Sequence, residues 1–519
     1  MSARRAAGAA RARWYRPAMR RLARPLPLAL AAVLASAMPA CGAQGGDPPG
    51  AASVPETVAA APDPATTTAR PAAAKPLRDW PLFGLTPGRP SATNAPTGIA
   101  PGDLAHLRRR QVQVPGTVDS TPIILNGTAF ATTTYGRTVA VDLATGAIRW
   151  TFTPKSYDSY AGSAQITNAS PAADPSRRFV FTASPDGAIH KLSVADGREA
   201  AGWPVVITRD PTHEKLTSSL NVSRGRVVAT MGGYIGDAPP YQGKVVTLDA
   251  GSGRIAGVFN SLCSDRHTII QPSSCPATES AIWGRAGAVV LPGGDLLAAT
   301  SNGPFDGVRN WGDSVVRLSP DAGRLLRHWT PTEQARYEEQ DIDVGSTSPA
   351  YLGGGLVLQG GKDAKLHLLA LDRMSGVTGA AGKRLGGDLQ VLPTPGGQMM
   401  FTAPAVWRHG GRTTVVVATG GGTTAYAVRG RRLRPLWGNG HAGTSPIVAG
   451  GVLYVYDPTG GGVRTYDPAT GRSRATLAAG SGHWNSPVVA GGHLVLGEGN
   501  ANDHATGDGV LDVWSAPGA

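Results

Sequence analysis

A unit of roughly 40 to 55 residues recurs along this chain, and a period in that range limits the fold more tightly than any other feature, because it signals stacked or radially arranged supersecondary units. The unit opens with Ser, Thr or Ala followed by proline, at Pro122, Pro171, Pro349, Pro404, Pro446 and Pro487. An apolar run follows, as in IILNGTAFAT and IVAGGVLYVY. Then come a Gly-containing turn and a second pattern, V-x-x-L/Y-D-x-x-x-G, seen in KVVTLDAGSG and GVRTYDPATG and more loosely in TVAVDLATG. Short apolar runs closed by Asp and Gly are strand and hairpin signals, and helical periodicity is nearly absent.

The spacing selects the architecture. Pro122 and Pro171 lie 49 residues apart, and Pro349, Pro404, Pro446 and Pro487 follow one another at 55, 42 and 41. That is the period of a four-stranded propeller blade with its loops. The gap of 178 residues between Pro171 and Pro349 accommodates two blades that open without proline, near Ser219 and near Ile282. The expected fold is all-β, an eight-bladed β-propeller of four-stranded blades over residues 79–519. RQVQVPG, residues 110–116, is expected to complete the last blade and lock the ring. Closure covers strand edges that would otherwise pair with other chains. Trp150, Trp203, Trp329 and Trp437 follow the turn in four units and Trp514 ends the last. A large flat side chain recurring at one place in a repeat is expected to pack between neighbouring blades.

The residues ahead of the ring read differently. Of the formal charge of +13, eight come from arginines at or before Arg24, so the charge is no footprint of nucleic acid. An apolar stretch from Leu26 to Met38 is too short to span a bilayer as a helix but has the length of a signal h-region. It ends at Pro39-Ala40-Cys41-Gly42, which resembles the lipobox of bacterial lipoproteins. Residues 1–41 therefore read as a signal peptide with a lipobox-like end, and the chain as exported and lipid-anchored at Cys41; an ordinary cleaved signal is the alternative. Residues 42–78, rich in Ala, Pro and Thr, bury too little apolar surface to offset ordering entropy and read as a disordered linker. The chain has three cysteines, and an exported chain leaves one unpaired unless it is modified. With Cys41 modified, Cys263 and Cys275 are expected to form a disulfide, two buried thiols being the alternative.

The V-x-x-L-D-x-x-x-G-x-x-x-W repeat and the opening DWPLFGLTPGRPSATNAPTGIAP resemble the pyrroloquinoline-quinone (PQQ)-binding-like β-propeller superfamily. That group includes quinoprotein alcohol dehydrogenases and the β-propeller lipoprotein of the outer-membrane barrel-assembly machinery. In the segment from Ala298 to Ser346 the resemblance implies Asn302 as a metal ligand and Asp341 as the catalytic base and a ligand, with Asp343 nearby. In IWGRAG it implies Trp283 as the floor under the quinone ring, and in GGKDAKLHLLALD it implies Lys362 as the cation facing the quinone oxygens. The residue types suit the chemistry: a flat ring stacks on an aromatic, a carboxylate accepts an alcohol proton, and a cation stabilises charge developing on oxygen. The chain departs from the family at the metal. A calcium site there also uses a Glu in a Gly-x-Glu segment, whereas MGGYIGDAPPYQG offers Tyr234, Ile235 and then Asp237. Turn-capping roles for Asn302 and Asp341, and a core role for Trp283, are the alternatives.

Two functions remain open at this level. One is a quinoprotein dehydrogenase oxidising an alcohol or sugar, with PQQ and calcium, whose electrons leave to a separate acceptor because no CxxCH provides a haem. The other is a non-catalytic envelope lipoprotein whose ring binds a protein or polymer. The dispersed histidines argue against zinc, the absence of phosphate-binding motifs against nucleotides, and the Gly497–Gly509 loop, despite its acidic residues, lacks EF-hand spacing.

Overall fold

A computed structural model describes residues 76–519, apart from residue 237. Cys41, Asp237, the leader and most of the linker, for which the sequence raised expectations, lie outside the described residues. Eight antiparallel sheets follow one another along the chain. Blade 1 spans residues 123–152, blade 2 172–206, blade 3 215–260, blade 4 289–329, blade 5 350–393, blade 6 405–439 and blade 7 447–477. Blade 8 takes three strands from residues 488–515 and its fourth from Arg108–Val114, which pairs with Gly509–Ser515 from Arg108↔Ser515 to Val114↔Gly509. The expected locking strand is thus present, and it joins the two ends of the ring by backbone hydrogen bonds.

Each proline of the repeat stands immediately before the innermost strand, where its missing N–H costs no ladder bond. Blades 3 and 4 open without it. Blade 3 starts beside Ser219 as expected and carries an extra short strand, Lys215–Leu216, paired to Arg226–Gly232. Blade 4 starts at Val289, seven residues beyond the expected Ile282. The intervening residues form instead the loop that lines the axis.

The recurring tryptophans do tie blades together. Trp150 donates its indole N–H to the Val194 carbonyl of blade 2 at 3.1 Å, and Trp437 to the Pro468 carbonyl of blade 7 at 3.1 Å. Their rings lie on Gly197 and Gly471, where a Cβ would approach within 2.6 and 2.5 Å. Both glycines have φ above +70°, so the position needs glycine for backbone and for space. Trp203 reaches the Gly253 turn and Trp329 packs 4.9 Å from His367, each one blade onward.

Residues 76–101 cross one face of the ring. Trp80 bridges Ile124 of blade 1, the Pro81 carbonyl accepts from Ala173 of blade 2, and the Pro87 carbonyl from Val290 of blade 4. Arg89 reaches the Ser219 and Leu220 carbonyls of blade 3, the Pro90 carbonyl accepts from Val406 of blade 6, and Thr93 donates to Val448 of blade 7. Gly491 of blade 8 donates to Leu77. Thr97 and Gly98 also meet the turns between the first and second strands of blades 7 and 8, at Gly450 and Gly492, so this segment covers that end of the ring. The loops that follow the second strand of each blade emerge on the opposite face, the mouth. Cys263 and Cys275 form a disulfide in the loop after blade 3.

Candidate functional site at the mouth of the ring

Propeller topology brings residues distant in sequence to the mouth. Asn302 follows the second strand of blade 4 and Lys362 the second strand of blade 5. Asp341 and Asp343 lie between those blades, after the short helix Gln334–Glu339, and Trp283 lies between blades 3 and 4. Lys362 Nζ stands 3.0 Å from both carboxylate oxygens of Asp341 and 2.5 Å from Asp343 Oδ2, and 5.8 Å from the centre of the Trp283 ring. The Asn302 backbone N–H donates to Asp343 Oδ1 at 3.0 Å. Trp283, Asn302, Asp341 and Lys362 are therefore one constellation, with Asp343 as its buried pivot.

The environments of the two aspartates differ. The Asp343 side chain is fully buried, whereas that of Asp341 is 57 % exposed. Burial alone would lower the Lys362 pKa, but the two carboxylates hold it above the ordinary lysine range. Trp283 sits in a cradle left by Gly232, where a Cβ would fall 2.3 Å from its indole nitrogen, and that nitrogen has no hydrogen-bond partner among the described residues.

The sequence reading missed two carboxylates. Asn302 Nδ2 lies 3.5 Å from Glu279, which leaves Asn302 Oδ1 buried and unpartnered. Glu279 is held there because its N–H donates to the Tyr241 carbonyl and its carbonyl accepts from Gly243, whose lack of a Cβ permits the approach of Ser280. Asp313, buried, accepts from the Val344 N–H at 3.2 Å. Desolvation, then repulsion from neighbouring carboxylates, raises the pKa of Glu279 and raises that of Asp313 strongly. A lone Glu four residues before Trp283 offers no spacing signal. The one detectable trace is conformational: Glu279, Ser280, Asp313 and Asp341 all adopt positive φ, a strain that gathers at functional sites.

Tyr234, which stands in the family's glutamate segment, points elsewhere. It is buried beside Tyr135 and Ile166 and donates to the Pro211 carbonyl at 3.0 Å. Among the described residues no group of three His, Cys, Asp or Glu side chains has metal-binding geometry. In the Gly497–Gly509 loop, Glu498 is engaged by Arg109 and the Gly480 N–H, and Asn500 caps Asn502.

The ring shares the fold of quinoprotein alcohol dehydrogenases and of BamB, and part of it is similar in sequence to PQQ-type β-propellers. Residues 102–287 match the family model for the glucose/ethanol/alcohol dehydrogenase β-propeller domain. The dehydrogenase subunit of a quinone alcohol dehydrogenase from Acetobacter aceti is 24% identical over 274 residues, covering 46% of this chain and 36% of the relative. The match thus spans little more than a third of that relative's length. Among solved structures, quinohemoprotein alcohol dehydrogenase from Comamonas testosteroni superposes with a TM-score of 0.62 at 15% identity, over 85% of this chain and 81% of the other. BamB from Moraxella catarrhalis gives 0.50 at 14% identity, over 79% and 99%. At these identities the superpositions establish the fold.

Proposed function

We propose that the mouth holds a pyrroloquinoline quinone and that the protein oxidises an alcohol or sugar there. The observation that carries this reading is the convergence of Lys362, Asp341 and Asp343 beside the Trp283 ring, from segments spread over some 80 residues of sequence. The residues suit such a group. Trp283 supplies an aromatic face, Lys362 a fixed cation, and Asn302 Oδ1 with Glu279 oxygen donors of the kind a hard cation such as calcium takes. Glu279 would stand in for the carboxylate that the Tyr234 segment lacks.

When bound, the quinone supplies the two-electron acceptor. Asp341, the exposed carboxylate, is positioned to take the proton of a substrate hydroxyl. Lys362 would stabilise negative charge on a facing oxygen, and Asp343 fixes the direction of its ammonium. Electrons would pass to a separate acceptor protein. The leader ending in Cys41 supports a location at the cell envelope.

The test is PQQ uptake with calcium, followed by absorption. Trp283→Ala is expected to abolish uptake, while Asp341→Asn retains it and loses dye-linked alcohol oxidation, since a general base acts mainly in the transition state. Failure of the folded protein to take up PQQ would overturn this reading and favour a non-catalytic ring that binds an envelope protein or polymer.

A further inference from the structure

Below the mouth a second polar cluster occupies the axis. Arg285 lies four residues ahead of the innermost strand of blade 4, and Asp119 four ahead of that of blade 1. Arg285 donates to the carbonyl and carboxylate of Asp119, and also to the Asn168 carbonyl ahead of blade 2 at 3.4 Å. The other Asp119 oxygen accepts from the Ala501 N–H and meets His483 Nδ1, both at 3.0 Å. Three blades thus meet on one buried carboxylate, and Arg285 adds a contact to a fourth. Phe401, Trp484 and His483 stack alongside, with the Arg285 guanidinium 5.8 Å from the Trp484 ring.

Lys215 belongs to this cluster and is unmatched. It stands opposite Gly232 in the extra strand pairing of blade 3, and Gly232 backs Trp283. It is 7 % exposed, and its ammonium has no hydrogen bond or ion pair with any described residue. Asp119, the neighbouring carboxylate, is already shared by Arg285 and His483. Burial lowers the Lys215 pKa to about 8, with Arg285 acting in the same direction and Asp119 against it. An unpaired buried cation is costly, and here the single carboxylate of Asp119 faces both Arg285 and Lys215.

We propose that Lys215, with Arg285 behind it, is a carboxylate-binding subsite in the ring's axis, reached from the mouth because residues 76–101 cap the other end. The incoming carboxylate forms the ion pair that Lys215 lacks. The ligand is an organic acid, supplied either as a carboxylate arm of a quinone cofactor or as an acidic substrate. This inference concerns anion recognition and stands whether or not the mouth performs redox chemistry.

The test is calorimetric titration of the purified protein with oxalate, citrate and PQQ. Wild type is expected to bind at least one of them. Lys215→Met is expected to weaken that ligand at least tenfold, and Lys215→Arg to restore it to within about threefold, which separates charge recognition from a folding defect. At pH 8, binding should take up about half a proton, because half of the Lys215 side chains start neutral, and at pH 6.5 essentially none. Oxalate or citrate binding that depends on Lys215, without PQQ binding, would uphold the subsite and overturn the quinone reading. PQQ binding indifferent to Lys215→Met would do the reverse, and no binding of any of the three at millimolar concentration overturns the subsite.

Discussion

Two carboxylate-rich clusters lie within a few residues of each other in sequence and are treated oppositely by the fold. Between blades 4 and 5, His367 bonds Asp363 and Asp388, each at 2.7 Å, while the Tyr337 hydroxyl donates to Asp363 at 2.9 Å. Lys365 pairs with Glu333 at 3.0 Å and lies 3.2 Å from the Tyr337 hydroxyl. Every charge there has a partner. At the mouth, Asp341 and Asp343 pair with Lys362 and repel the nearby Glu279 and Asp313, and among the described residues Asp313 Oδ2 and Asn302 Oδ1 are left buried without a partner. A matched network holds two blades in register, whereas an unmatched one stores the means to bind a ligand.

The sharpest way to break the contrast is to remove the cation at the mouth. Lys362→Met leaves Asp343 buried and unpaired, which is expected to cost about 3 to 5 kcal/mol in chemical denaturation. A loss below about 1 kcal/mol would mean that the mouth carboxylates are already relieved by some other route.

The matched cluster should respond to pH instead. Burial lowers the His367 pKa, but the bonds to Asp363 and Asp388 outweigh it and bring the value to about 9. A folded-state value above the unfolded ~6.5 stabilises fully below pH 6.5, and the gain fades as pH rises through 9. The expected loss is about 3 kcal/mol between those limits. Melting followed from pH 6 to 10 should show the decline, and His367→Gln should remove it. An equal decline in the variant would assign it to other groups.

The smallest effect separates space from conformation in the blade contacts. Gly197→Ala both violates φ of +73° and drives a methyl into Trp150, for an expected cost of about 2 to 3 kcal/mol. Gly127→Ala, with φ of +77° and open space around it, should cost only about 1 kcal/mol by the same denaturation measurement. Equal costs would show that the Trp150 contact yields readily.

Much of the fold was readable because the repeat repeats its chemistry. Proline before each inner strand, glycine at each turn and tryptophan after it are local requirements, so six of the eight blade openings and the locking strand could be read from spacing alone. Blade 4 was displaced because no proline marks it and its approach, Trp283 to Ala288, is spent on the axis. The resemblance pointed to Trp283, Asn302, Asp341 and Lys362, yet the ion pairs among them, and the pivotal burial of Asp343, depend on how two loops from adjacent blades approach.

Sequence by itself determined the number of blades and the closure of the ring, since those follow from periodic strand and turn signals, and the residues at the mouth came from the resemblance. Only the tertiary structure decided which charges are matched. Glu279 reaches Asn302 through backbone bonds to residues 241–243, and Arg285 crosses the axis to Asp119, 166 residues away in the chain. A ring brings such residues together through closure, and closure leaves no spacing for a linear reading to detect.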